Sequence, residues 1–375
     1  MLRVMTVVGT RPEIIRLSRI IAKFDAHFAH VLVHTGQNSD YELNQIFLTE
    51  LGIRTPDRFL EAAGESAAKT IGKVIIAADE AMEAHQPDVL LVLGDTNSCL
   101  AAIAAKRRKI PIFHMEAGNR CYDFRVPEEL NRRIVDHTAD INLTYSHIAR
   151  TYLLREGFPP DQVIVTGSPM REVLTYYRAG IEASDVLNRL ALSRGRYFIV
   201  SSHREENVDS PERLRKFIEI LTFLTTRYRE PVIVSTHPRT RKRLDALGVS
   251  CPANVRFERP FGFLDFVKLQ CEARAVLSDS GTITEESAIL NFPALTLRDV
   301  HERPEGVEEA SVMMTGLNVE RVLGALEILE GQPRGRERLL RMPANYEPRN
   351  VSDKVLRIVQ SYHEFVNQRV WREAN

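Results

Sequence analysis

This sequence predicts an α/β protein of two doubly wound, Rossmann-like domains, and three observations carry that expectation. The chain has 375 residues, more than the ~100–200 usual for one domain. Short apolar runs alternate with helical patterns along its whole length, as βαβ units require. These runs are near-continuous, which suits parallel strands covered by helices on both faces.

The elements follow in order. "RVMTVVG" (3–9) is β-branched and apolar, and a helix should run from Pro12 to about Asp25. "HVLVHTG" (30–36) is the next strand, and "DVLLVLGDT" (88–96) is a buried strand leading into the Ala-rich helix "SCLAAIAAKRRK". "IPIFHMEAG" (110–118), "INLTYS" (141–146) and "QVIVTGSP" (162–169) complete the first series. The pattern then restarts with "YFIVSSHRE" (197–205), "PVIVSTHP" (231–238), "NVRFERPF" (254–261), "ARAVLSDSGT" (273–282) and "PALTLRD" (293–299). Domain one is therefore placed at 1–168 and domain two at 169–352. A closing helix, 353–375, has Val355, Leu356, Val359, Tyr362 and Val366 at helical spacing. Asn350 or Ser352 should cap it, and it should pack back on the first domain. Two such domains facing each other would form a cleft at the carboxyl ends of their strands, a preferred place for small ligands.

Composition narrows the function. Lys plus Arg and Asp plus Glu both number 50, so no strong field gathers nucleic acid or an acidic membrane surface. The apolar fraction of 44% suits a globular chain. Cys99, Cys121, Cys251 and Cys271 form no CxxC pair, which argues against a metal knuckle or disulfide framework. The N-terminal apolar run is too short to span a membrane and lacks a signal-peptide cleavage site. A cytoplasmic protein is the expectation. No GxGxxG is present, so the dinucleotide fingerprint is missing. "GESAAKT" (64–70) has Ala68 where a phosphate loop needs glycine, and "HMEAG" is followed by no CxxC. Neither a metal nor another cofactor is expected.

What remains is a set of carboxylates and anion-binding features at strand ends. Asp95 closes "LVLGDT", and taken alone it reads as a helix N-cap. Glu116 closes "IFHMEAG" and alone reads as a loop charge. Glu128 and Glu129 follow Pro127, where acids favour the helix dipole in any protein. His203 closes "IVSSHRE". In "LSDSGTITEES", Ser280, Gly281 and Thr282 place hydroxyl and N–H groups where a helix begins, a setting suited to phosphate. Arg11, Arg16, Arg204 and Arg303 are the candidate cations, each of which alone would read as a surface arginine. Together these residues divide the labour: domain one offers acid–base carboxylates, and domain two offers an imidazole and a phosphate-holding turn.

The motifs "GTRPEIIR", "GDTNS", "MEAGNR", "VPEELNRRIVDH", "SSHREEN", "SDSGTITEES" and "RDVHERPEG" run in order from about residue 5 to 310. This set resembles the non-hydrolysing UDP-N-acetylglucosamine 2-epimerase family. "MEAGNRCYDFRVPEELNRRIVDH" and "SSHREENVDSPERL" look most like its UDP-N-acetyl-L-fucosamine-forming branch, which inverts C2 of UDP-2-acetamido-2,6-dideoxy-L-talose for capsule or O-antigen synthesis. The resemblance implies a GT-B architecture, a UDP-amino sugar substrate and a homodimer. It implies acid–base roles for Asp95, Glu116 and Glu128, and a place for His203 beside the leaving diphosphate. It matches Arg11 to the arginine of the family's first loop. It assigns Ser280, Gly281 and Thr282 to the UDP turn, and Glu286 to the ribose; Glu285 then reads as structural. Thr282 and Arg16 depart from the glycine and lysine of many relatives. "GQNSD" (36–40) departs from the histidine-containing segment of allosterically regulated relatives, so regulation by UDP-N-acetylglucosamine is not carried over.

The implied chemistry explains the residue types. A C2 hydrogen with no adjacent carbonyl is poorly acidic. Departure of UDP from C1 overcomes this and gives a 2-acetamidoglycal, to which UDP adds back once C2 is protonated on its other face. Leaving-group charge needs donors, and the two faces need differently placed acids and bases. Asp95 and Glu116 are expected to move the C2 proton, with Glu128 assisting. The alternatives are UDP-N-acetylglucosamine or a UDP-2,3-diacetamido uronic acid as substrate, a GT-B glycosyltransferase, or a UDP-sugar sensor.

Overall fold

In the computed structural model, the structure describes residues 1–37, 41–248 and 251–371. Two compact units form, one from Met1–Tyr176 with Asn345–Asn375 and the other from Tyr177–Ala344.

The first unit is built on a parallel sheet of seven strands. These are β1 Arg3–Val8, β2 Ala29–His34, β3 Arg58–Phe59, β4 Val89–Leu93, β5 Ile112–Ala117, β6 Ile141–Thr144 and β7 Val163–Val165. Their order is β3-β2-β1-β4-β5-β6-β7, so the winding reverses between β1 and β4, the point where doubly wound sheets take ligands. The predicted strands are present. The two-residue β3 was not predicted, because two residues carry no readable pattern. Helix Arg11–His27 starts at a capping box in which Glu13 returns to the backbone of Thr10, and it buries Ile14, Leu17, Ile20, Ile21 and Phe24. Met5, Val7, Leu90, Val92 and Ile112 share one core layer with the helix residues Val74, Ala78 and Met82.

The second unit repeats the plan with six parallel strands: β8 Phe198–Ser201, β9 Val232–Ser235, β10 Val255–Glu258, β11 Ala275–Ser278, β12 Ala294–Thr296 and β13 Met313–Met314. The order β10-β9-β8-β11-β12-β13 places its reversal between β8 and β11. Phe198, Val200, Phe217, Leu221, Val234 and Leu277 lie in its core. The expected α/β class with two Rossmann-like sheets is therefore observed.

The crossing points differ from the sequence reading. The chain leaves the first unit after Tyr176 and re-enters at Asn345, where 168 and 352 were expected, because hydrogen bonds to backbone carbonyls stitch the outgoing and returning segments together. Ser168 N donates to the Asn345 carbonyl at 3.0 Å, Arg171 Nη1 to the Glu347 carbonyl at 2.9 Å and Lys354 Nζ to the Thr166 carbonyl at 2.7 Å. The returning helix is Val351–Arg369, with Val355, Val359 and Val366 buried. Asn350 stands at the N-cap position, but its side chain makes no capping hydrogen bond. Glu172 supplies the acceptor instead, taking Ser352 N at 2.9 Å and the Ser352 hydroxyl, since a carboxylate meets both the free N–H groups and the helix dipole. Among the described residues, no helix is long and apolar enough to cross a membrane.

Candidate functional site

In the first unit the candidate residues lie at or after the carboxyl ends of β1, β4 and β5. The turn after β1 depends on Gly9: a Cβ there would sit 2.2 Å from the Thr35 hydroxyl. Beneath this turn lies Glu13, 1% exposed. One of its oxygens accepts from Gly9 N at 2.5 Å and Thr10 N at 3.0 Å. The other accepts from Ser98 Oγ at 2.6 Å and from the Thr96 hydroxyl. Burial raises the pKa of this carboxyl, and the four donors oppose the shift. Glu13 thereby ties the β1 turn to the β4 turn that carries Asp95.

Asp95 is held from several sides. Its carboxylate accepts from Arg132 Nη2 at 2.6 Å and Nε at 3.1 Å, and its carbonyl accepts from Asn131 Nδ2 at 2.9 Å. The preceding carbonyl, Gly94, lies 2.7 Å from His114 Nε2. The other ring nitrogen of His114 is 2.9 Å from Asp136, with both side chains fully buried. Asp136 also accepts from Arg120 Nη1 at 2.6 Å, and Arg120 forks onto Glu156 at 2.7 and 2.9 Å. Burial would raise the Asp136 pKa, but His114 and Arg120 overcome it and hold the carboxyl below its ordinary range.

Leu93 of β4 is in register with Met115 of β5, so Asp95 and Glu116 emerge from neighbouring strand ends. Glu116 adopts φ +64°, a left-handed conformation costly for a side chain bearing a Cβ, where the pairing with β6 shifts between Met115 and Ala117. Its carboxylate is buried and pairs with Arg16 at 2.8 Å. Cys99 reports the crowding of this region. Its thiol is pushed well up, first by burial and then by the negative charges of Glu13, Asp95 and Glu116.

Helix Pro127–Thr138 separates the two adjacent glutamates. Glu129 is fully buried and takes Arg132 at 3.0 Å, Arg133 at 3.0 Å and Cys121 N at 3.0 Å. It is a framework residue. Glu128 is half-buried on the other side of the first turn. Arg11 opens its helix with its guanidinium 5.7 Å from the ring centre of Phe47. Of "GQNSD", residues 38–40 lie outside the described residues.

In the second unit the loops after β8 and β11 meet on Asp279, which is 0% exposed. Its carboxylate accepts from His203 N at 3.0 Å, Arg204 N at 3.1 Å, Ser202 Oγ at 2.8 Å and Asn207 Nδ2 at 3.1 Å. His203 Nδ1 lies 3.2 Å from Asp279 Oδ1. Burial would raise the Asp279 pKa, but the facing His203 and the donated hydrogen bonds drive it far below the usual carboxylate range.

Ser280, Gly281 and Thr282 follow directly and open helix Thr282–Leu290. Ser280 Oγ and Thr282 Oγ1 are 3.0 Å apart. Among the described residues beyond its chain neighbours, the nearest atom to a Cβ placed on Gly281 is Glu302 Oε2, at 3.5 Å. Arg303 Nε donates to the Gly281 carbonyl at 3.2 Å and lies 3.6 Å from the buried Glu285, so this arginine braces the turn from within the protein. Glu286 is buried and accepts from Gln270 Nε2 at 2.7 Å. Arg204 lies 3.6 Å from Glu302, which also takes Arg298 at 2.7 Å. This unit thus offers a helix N-terminus, two hydroxyls, an oriented imidazole and a nearby guanidinium, a set suited to a diphosphate.

Three residues of this machinery were not singled out from the sequence: Glu13, Arg132 and Asp279. All three sit inside quoted motifs, and Glu13 has the capping-box spacing to Thr10 that marks a helix start, but the distant partners Ser98 of Glu13 and His203 of Asp279 are 85 and 76 residues away. Among the described residues, no group of three or more His, Cys, Asp or Glu could hold a metal ion.

A sequence-family model for UDP-N-acetylglucosamine 2-epimerase matches residues 22–360. The solved structure of a UDP-N-acetylglucosamine 2-epimerase from Rickettsia bellii is 50% identical, covers 100% of both chains and superposes with a TM-score of 0.92. The UDP-N-acetylglucosamine 2-epimerase of Methanocaldococcus jannaschii is 34% identical over 343 residues, 89% of this chain and 93% of its own. Its structure in complex with UDP-GlcNAc and UDP superposes with a TM-score of 0.89 at 32% identity, covering 96% and 99% of the two chains. At the level of fold alone, the likeness extends to MurG from Acinetobacter baumannii, 14% identical with a TM-score of 0.52.

Proposed function

Because this chain belongs to the non-hydrolysing UDP-N-acetylglucosamine 2-epimerase family, an isomerase family acting on UDP-N-acetylamino sugars, we propose that it interconverts UDP-N-acetylglucosamine and its C2 epimer, UDP-N-acetylmannosamine. The similar enzymes of Rickettsia bellii and Methanocaldococcus jannaschii carry UDP-N-acetylglucosamine in their names. This favours that substrate over the 6-deoxy-talose sugar suggested by the local motifs. The observation that carries the catalytic reading is the register of β4 and β5, which brings Asp95 and Glu116 out side by side, each against its own arginine.

In this reading one carboxylate takes the C2 proton. The C2–H electron pair forms the C1=C2 bond, and the C1–O pair leaves with UDP. The other carboxylate returns a proton to the opposite face of C2, and the diphosphate oxygen adds back to C1. Arg132 holds Asp95 and Arg16 holds Glu116, so each carboxylate is fixed separately, as transfer on two faces requires. Glu128 assists from the first turn of its helix. The Ser280–Thr282 turn, His203 and Arg204 take up charge on the leaving diphosphate. Glu286 meets the ribose, and Arg303 acts through the Gly281 carbonyl.

The test is proton NMR of a panel of UDP-amino sugars incubated with the protein in D₂O. Deuterium should enter C2 of UDP-N-acetylglucosamine as the C2 epimer appears. Exchange into the 6-deoxy-talose or diacetamido uronate sugar alone would overturn the substrate, and unlabelled product from an authentic substrate would overturn the mechanism. Asp95→Asn and Glu116→Gln should each lose at least ~10²-fold in turnover while still binding UDP. A rate near wild type would remove that carboxylate from proton transfer.

A further inference from the structure

We propose that Asp279 is the positioning residue that turns the His203 ring toward the departing diphosphate, a role that rests on the reading of His203 as a leaving-group residue. The geometry assigns it. Asp279 is wholly buried and directly follows β11, while His203 lies in the short loop after β8, the hydrogen-bonded neighbour of β11 in the sheet. Asp279 Oδ1 faces His203 Nδ1 at 3.2 Å. The same carboxylate accepts the backbone N–H groups of His203 and Arg204, so the base of the side chain and its ring are fixed from one point.

A carboxylate in this position accepts from Nδ1–H and leaves Nε2 as the nitrogen turned away from it. The His203 side chain is 42% exposed while Asp279 is 0%, so the outer part of the ring is the part a ligand can reach. When Nε2 carries a proton, it can donate to the diphosphate oxygen that receives the C1–O electron pair, and the buried carboxylate compensates the imidazolium charge. Asp279 also immediately precedes Ser280, so the carboxylate that sets the imidazole also sets the start of the diphosphate turn. Ser202 and Asn207 complete its acceptor capacity at 2.8 and 3.1 Å. Asp279 thus fixes the loop after β8, and through Asn207 the short helix that follows it, against the turn that begins at Ser280.

The test has a spectroscopic arm and a kinetic arm. In protein labelled with ¹⁵N-histidine, two-bond ¹⁵N–¹H correlations at alkaline pH report the tautomer of His203, assigned by the signal lost in His203→Gln. The wild type should show the Nδ1–H tautomer, and Asp279→Asn should move it toward the Nε2–H form that free histidine prefers. A wild-type Nε2–H tautomer would overturn the proposal, and this holds even if the variant fails to fold. In the kinetic arm, Asp279→Asn should lower kcat for deuterium entry at C2 by ~10²-fold with little change in KM. In a His203→Gln background the same substitution should cost less than about threefold more, because a residue acting through another has nothing left to lose. Losses that multiply would show that Asp279 acts independently of the ring. A wild-type protein that exchanges no UDP-amino sugar would instead sink the epimerase reading, and the tautomer would still decide the pairing.

Discussion

Single residues show most sharply what a local pattern can and cannot reveal. Alone, Asp95 and Glu116 read as a helix cap and a loop charge; they are legible as candidates only as part of a set of polar residues at strand ends. Glu128 and Glu129 are indistinguishable in sequence, yet one is half-buried and the other closed in by two arginines. Only the phase of the helix separates them. His34, at the end of β2, shows how burial acts on titration. It is 1% exposed, its ring centre is 5.1 Å from that of Phe59, and burial lowers its pKa to about 4. An unfolded histidine titrates near 6.5, so below that pH the unfolded chain gains a proton that the folded chain refuses. Stability should therefore fall from about pH 6.5 to about 4, by up to about 3 kcal/mol from this residue. Chemical denaturation across that window checks it, and His34→Gln should flatten the dependence.

Among the elements, helix Pro127–Thr138 most clearly breaks the rule that buried faces are apolar. Its buried face is Glu129, Asn131, Arg132, Val135 and Asp136, and the polar members survive burial because each finds a partner. Asp136 has two cationic or imidazole neighbours and the Gly118 N–H at 3.2 Å. Asp136→Asn leaves Arg120 and His114 short of compensating charge, so a loss of about 3 kcal/mol is expected in denaturant unfolding. The pH sign follows from the lowered carboxyl. Its contribution is complete above the unfolded value of about 3.9 and disappears as pH falls through the lower folded value. A variant as stable as wild type at neutral pH would show that this network carries no net stability. The strands were legible because their apolar runs are continuous. The polar face of this helix was not, because its partners come from β5 and from the turn after β4, up to 37 residues away.

For the whole molecule, the decisive feature is that the chain re-enters its first unit. Val355 and Val359 of the returning helix are fully buried there, and Lys23 pairs with Asp353 at 2.7 Å. That half-exposed ion pair contributes little, ~0–1 kcal/mol, so the helix is held mainly by its apolar stripe. Val359→Ala should cost about 1–3 kcal/mol and lower the melting of the first unit by about 2–4 °C per kcal/mol. Calorimetry should show the second unit, with its separate core, melting unchanged. An equal shift in both would mean that the two cores melt together.

By itself the sequence determined the α/β class, the strands long enough to show an apolar run, and which residue types end them, because burial on both faces of a parallel sheet writes a continuous apolar pattern and leaves charges conspicuous. The tertiary structure decided which of those charges are catalytic candidates and which are framework. Glu13, Arg132 and Asp279 gain their roles from partners far along the chain, and Glu129 and Arg303 turn inward, because the hydrogen bonds that decide these matters form only after the strands have been brought side by side.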